Sequence, residues 1–137
     1  MAEPSGLLFD KPVKMLIVVA QSGLDRLAPA QEAARAAGAE VEVVEVPGVL
    51  DVPVAIAFAE RLADFDGYIA LSGGNDRDEV LHVAWHAVSL LGLDGACIGN
   101  GLGKSGNDGK AAAIAALHLV AISRKWAAQT KVIGFRA

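Results

Sequence analysis

The chain has 137 residues, of which 53% are hydrophobic, 20% charged and 5% aromatic, and its formal net charge is −4. A chain of this length hides roughly 70% of its unfolded surface, so one domain with a substantial core is expected and the apolar content excludes disorder. The acidic balance, with no basic run, argues against a nucleic-acid partner. The single cysteine, Cys97, excludes an intrachain disulfide framework and a multi-cysteine zinc site, and suits a reducing cytoplasm.

Residues 1–12 hold Gly6 and two prolines and read as an N-terminal arm, with 13–137 as one domain. The arm lacks the basic and then apolar segments of a signal peptide. Val13 to Ala20 is a short β-branched apolar run, the pattern of a strand buried on both faces. Gln21-Ser22-Gly23 turns the chain, and Leu24 to Ala37 has helical spacing with Gly38 as its stop. Glu40 to Val46 alternates charged and apolar residues, as an edge strand with one wet face does. After Pro47-Gly48, Asp51 to Ala63 reads as a helix that tolerates Pro53 in its first turn.

Gly67 to Leu71 is the third predicted strand and Ser72 to Asp76 a loop. Asp78 to Leu91 is the third helix, with Gly92 as its stop. Gly95 to Gly99 is a weak fourth strand, followed by the Gly-rich Asn100 to Gly106. Asn107 is placed to cap a long helix through Lys125. Within it, Ala111 to Ser123 is free of charge but too short for a bilayer, and reads as a buried helix. Lys131 to Phe135 is strand-like. Strand and helix alternate four times, which predicts an α/β sandwich on a parallel sheet. Ligands of such sheets bind at the carboxyl ends of the strands, which here are Gln21-Ser22, Pro47-Gly48, Ser72 to Asp76 and Asn100 to Gly106.

The segment Lys104-Ser105-Gly106-Asn107-Asp108-Gly109-Lys110 opens a helix, where free N–H groups and the dipole favour an anion. Its spacing is not that of a P-loop, and an ordinary capped turn would use the same residues. Asp51 has two readings, acceptor for ligand hydroxyls or helix cap, and the sequence favours the cap. The acids between Ser72 and Glu79 match no metal-ligand spacing. His82 and His86 share a helix face, without the intervening Glu of metalloprotease chemistry, and read as an interior or interface pair. His118 and Cys97 read as core residues.

Four segments together resemble the 6,7-dimethyl-8-ribityllumazine synthase family, over roughly Lys14 to Arg124. They are Met15-Leu-Ile-Val-Val-Ala20; Glu42-Val-Val-Glu-Val-Pro-Gly-Val-Leu-Asp-Val-Pro53, the most specific; Phe65-Asp-Gly-Tyr-Ile-Ala-Leu71; and Lys104-Ser-Gly-Asn-Asp-Gly-Lys-Ala-Ala-Ala113. The resemblance implies a flavodoxin-like three-layer sandwich with a four-stranded parallel sheet and helices on both faces. It implies condensation of 5-amino-6-(D-ribitylamino)uracil with 3,4-dihydroxy-2-butanone 4-phosphate in riboflavin biosynthesis. No cofactor or metal is implied, and the sites lie between subunits of a pentamer or a multiple of pentamers. The arm, through Leu7-Leu8-Phe9, is expected to add to a neighbour's sheet.

Carried over residue by residue, the resemblance keeps Asp51, where the family has a Glu on the ribityl chain, Val49 at a backbone contact, and Lys104 beside the phosphate. Ser22, Leu50, Ser72, Gly73 and Gly74, at the strand ends, complete the candidate substrate contacts, and Ser105, Gly106 and Asn107, at the helix start, the candidate phosphate contacts. The chain departs from the family at three places. Ser22 stands where the family stacks an aromatic ring. Asp78-Glu79 or Val80-Leu81 stand where it has a His pair. Gly101-Leu102-Gly103 runs into Lys104 without the family's phosphate-binding Arg. Glu79 and His82 are then the candidate proton carriers. Slow or absent turnover is expected, and the alternative is an inactive paralogue that binds a small ligand or serves as an assembly protein.

Overall fold

The structure is a computed structural model that describes residues 9–73, 78–101 and 107–133. Strand β1, Lys14–Ala20, runs into a 3-10 turn, Gln21–Arg26, and helix α1, Leu27–Ala36. There follow β2, Glu40–Val46; α2, Asp51–Leu62; β3, Gly67–Leu71; α3, Asp78–Leu93; β4, Ile98–Gly101; and α4, Asn107–Ile133. The sheet order is β2-β1-β3-β4, with every pair parallel. The sheet is the middle layer of an α/β flavodoxin-like three-layer sandwich.

Two cores follow from the period-2 alternation of β1. Met15, Ile17 and Val19 face α1 and α4, against Ala30, Ala33, Ala34, Ala113 and Leu117. Leu16, Val18 and Ala20 face α2 and α3, against Val52, Ile56 and Val88. The small residues of α1 and α4 let both helices lie close to the sheet. All five residues of β3 are buried, because β3 lies inside the sheet. β2 is an edge, and Glu40, Glu42 and Glu45 are exposed on it.

Several boundaries differ from the sequence reading. The stretch from Leu24 begins in the 3-10 turn, and α1 starts at Leu27. Gly92 does not end α3, which runs on to Leu93. The chain turns at Asp94 and Gly95, where the Gly95 amide donates to the Gly92 carbonyl (3.1 Å) and Gly95 takes φ +97°. β4 begins at Ile98 and includes Asn100 and Gly101, both read as loop. β3 fixes this register by pairing Tyr68 with Ile98 and Leu71 with Gly101.

Asn107 is the first residue of α4, and the helix passes Lys125 to Ile133. Residues 131–133 are therefore helical rather than strand-like, and 134–135 lie outside the described residues. Within α4, Asp108–Gln129 is long and apolar enough to cross a membrane by length and composition alone. In this fold its Ala112, Ala113, Ala116, Leu117 and Val120 stripe covers the sheet. The opposite face is open, with Leu119, Ile122 and His118 exposed, so His118 is not a core residue. Cys97 is only half-buried; burial pushes its thiol up, against a hydrogen bond with Ser123 that lowers it.

Candidate substrate site

Parallel strands bring their carboxyl ends to one edge, and a crevice opens where the chain leaves neighbouring strands in opposite directions. In the order β2-β1-β3-β4 that switch lies between β1 and β3. The segments leaving these two strands carry Ser22, and Ser72 with Gly73. The Gly73 amide donates to Ser22 Oγ at 3.2 Å, tying the first loop to the third. Gly23 makes the approach possible, because a Cβ there would lie 2.8 Å from the Ser72 Cα. Ser72 is buried and its amide donates to the Gly101 carbonyl at the end of β4 (3.2 Å). Three strand ends are thus joined at one place.

The β2 end adds the turn Pro47 to Leu50. Gly48 N–H donates to Asp51 Oδ2 at 3.0 Å, while Asp51 N–H donates to the Gly48 carbonyl at 3.1 Å. The carboxylate therefore closes the turn ahead of α2 rather than capping the helix from its N-cap position, which Leu50 holds. An acid in this first turn is also favoured by the helix dipole. Asp51 is exposed, so its carboxylate remains accessible to a ligand hydroxyl. Val49 is buried and Leu50 is exposed.

Arg26 was not singled out by the sequence, since it falls in an Ala-rich helical pattern. It is 3% exposed at the end of the 3-10 turn, and its Nη1 donates to Asp25 Oδ1 at 2.8 Å. The first turn of α4 packs on its backbone, at Gly109, where any Cβ would strike the Arg26 carbonyl. This contact locks the β1 exit to the start of α4.

Glu79 and His82 lie three residues apart on α3, and both side chains are exposed. His86, one turn further, is exposed too, so the His pair is not interior. Trp85 is half-buried. With Val49, Ser72, Ala84 and Val88 it lines a recess of about 10 Å³ under the C-terminal edge of the sheet. The alternation of Ala84 and Val88 as buried positions is the signal that places Trp85 beside the site, and it is visible only once the sheet face is known. Gly74, Lys104, Ser105 and Gly106 lie outside the described residues, as does the side chain of Asn107. Among the described residues no group of three or more His, Cys, Asp or Glu is placed to hold a metal ion.

No family model matches the chain. A protein of Jannaschia sp. (strain CCS1) named 6,7-dimethyl-8-ribityllumazine synthase is 38% identical over 151 residues, covering 93% of this chain and 85% of the relative. One of the same name from Novosphingobium aromaticivorans is 37% identical, covering 73% of this chain and 86% of the relative. A third, 6,7-dimethyl-8-ribityllumazine synthase 1 of Rhizobium meliloti, is 37% identical and covers 74% and 76%.

Proposed function

Because the chain belongs to the 6,7-dimethyl-8-ribityllumazine synthase family, we propose that it condenses 5-amino-6-(D-ribitylamino)uracil with 3,4-dihydroxy-2-butanone 4-phosphate in riboflavin biosynthesis. Family membership across most of the chain is the observation that carries this reading. The tie between Ser22 and Gly73 at the switch point supports it, because it holds the β1 and β3 loops together at the edge where ligands of such sheets bind.

In this reading the ring amine attacks the ketone, water leaves to form a Schiff base, phosphate is eliminated, and ring closure releases a second water. No cofactor is required, because the steps are amine additions to carbonyl carbons, proton transfers and departures of stable leaving groups, with no net oxidation or reduction. The uracil lies against the backbone of Val49, Leu50, Ser72, Gly73 and Gly74, near Ser22. Asp51 accepts hydrogen bonds from the ribityl hydroxyls. Lys104, Ser105, Gly106 and Asn107 hold the phosphate at the start of α4, where N–H groups and the dipole favour an anion. Proton transfer falls to His82, with Glu79 second. The site is completed between subunits of a homopentamer or a multiple of pentamers.

Turnover is slow in this account. Ser22 offers no ring for stacking, and Asp78-Glu79 or Val80-Leu81, in the first turn of α3, stand where the family has a His pair. A misplaced proton carrier alone costs about 10²–10⁴-fold. That same first turn favours a second reading, a catalytically inactive paralogue that binds a small ligand or serves as an assembly protein. A lumazine-formation assay with both substrates separates the two.

A further inference from the structure

A uracil-type ring is flat and polarisable, and proteins hold such rings by laying them on an aromatic face. The described aromatic side chains can be sorted by place. Tyr68 is 1% exposed and packs edge-on to Phe65, with ring centroids 6.1 Å apart, beneath the α2–α3 layer. Phe58 lies on the open side of α2 beside Arg61, and Phe9 lies beneath Arg124 near the N-terminal arm. Trp126 is 63% exposed on α4. Among the described residues, Trp85 alone of these side chains lines a recess with Val49 and Ser72. It is half-buried, so part of the indole stays accessible.

We propose that Trp85 is the aromatic wall of the substrate site and that it binds the pyrimidine ring, a specificity-determining role nothing in the sequence pattern assigns to it. The inference rests on the reading of the preceding subsection. The recess holds about 10 Å³, room for one water, so the ring lies across its mouth with the indole as one side. His82 is three residues before Trp85, on the same helix face. A ring on the indole is then one turn from the candidate proton carrier.

The chain has two tryptophans, so Trp126→Phe leaves Trp85 as the sole indole reporter. Full-length protein with this change is titrated with 5-amino-6-(D-ribitylamino)uracil, by tryptophan fluorescence and by calorimetry in parallel. The expected result is a saturable fluorescence change with the midpoint of the calorimetric isotherm. Trp85→Phe should keep the affinity within about threefold, and Trp85→Leu should weaken it about tenfold or more. Neither change should alter the affinity for inorganic phosphate. Calorimetric binding with unchanged Trp85 fluorescence, or equal affinity in Trp85→Leu, overturns the proposal and leaves the function standing. Should Trp85→Leu fail to fold, the fluorescence change and the Trp85→Phe affinity decide. An absence of binding to the wild type by either readout overturns the function, and the wall with it.

Discussion

At Asp51 one carboxylate oxygen closes the Gly48 turn while the side chain stays exposed. Asp51→Ala should therefore cost about 1 kcal/mol of stability and raise the KM for the ribitylaminouracil. Asp51→Asn keeps an acceptor for Gly48 and should recover most of the stability. Denaturant melts beside steady-state kinetics check both, and an Asp51→Asn as unstable as Asp51→Ala would contradict the turn-closing role. Tyr68 offers a cleaner test, being the one tyrosine in the chain. Its hydroxyl donates to Glu60 Oε1 at 2.6 Å, and burial first, then the Glu60 bond, pushes the phenol well above its ordinary value. The unfolded chain releases this proton near pH 10 while the folded chain keeps it. The stabilisation is complete below that pH and is lost as pH rises through the folded value. Denaturant midpoints at about pH 8 and about pH 11 should differ more in the wild type than in Tyr68→Phe; equal differences would contradict it. The sequence announced Asp51 because a turn and a helix start flank it. It did not announce Tyr68, Arg26 or Trp85, because their roles come from partners far away in the chain.

The strands were legible because β1 and β3 are continuous apolar runs inside a parallel sheet, and β2 alternates because it is an edge. Helix ends were less so. Gly92 looked like a stop, yet one glycine in a helix costs only about 1 kcal/mol, and α3 continues past it. Val132 and Ile133 are β-branched and suggest a strand, but a helix already formed through Lys125 extends at little cost. The link between the arm and α4 is wholly tertiary. Arg124 donates from Nη1 to the Lys11 carbonyl and from Nη2 to the Pro12 carbonyl, both at 2.9 Å. It also pairs with Asp66 at 3.4 Å and lies over the Phe9 ring. Asp66 in turn accepts the Lys14 amide at 2.8 Å. Arg124→Ala should loosen this junction by about 1–2 kcal/mol, the lower part of the range for charged hydrogen bonds because the group is partly exposed. Hydrogen exchange across residues 9–14 should accelerate roughly five- to thirty-fold. Unchanged exchange there would show that the arm is held by other contacts.

Across the molecule, the parallel order brings the carboxyl ends of the strands to one edge, with the switch between β1 and β3 at its centre, and the proposed site lies there. The outer faces of α2 and α3 carry Val54, Phe58, Leu62, Val83, Leu90 and Leu93, each at least half exposed. So much apolar surface suits burial against another copy of the chain. Light scattering should give a mass at a multiple of five chains, and a monomer at micromolar concentration would contradict the assembly. The catalytic claim is tested most directly by lumazine formation from both substrates, followed above the spontaneous background. The account predicts enzyme-dependent product that requires both substrates, at a rate about 10²–10⁴-fold below that of a relative with the intact His pair, and a further fall in His82→Ala. Product no faster than the background at any protein concentration, from protein that binds the uracil, would contradict it.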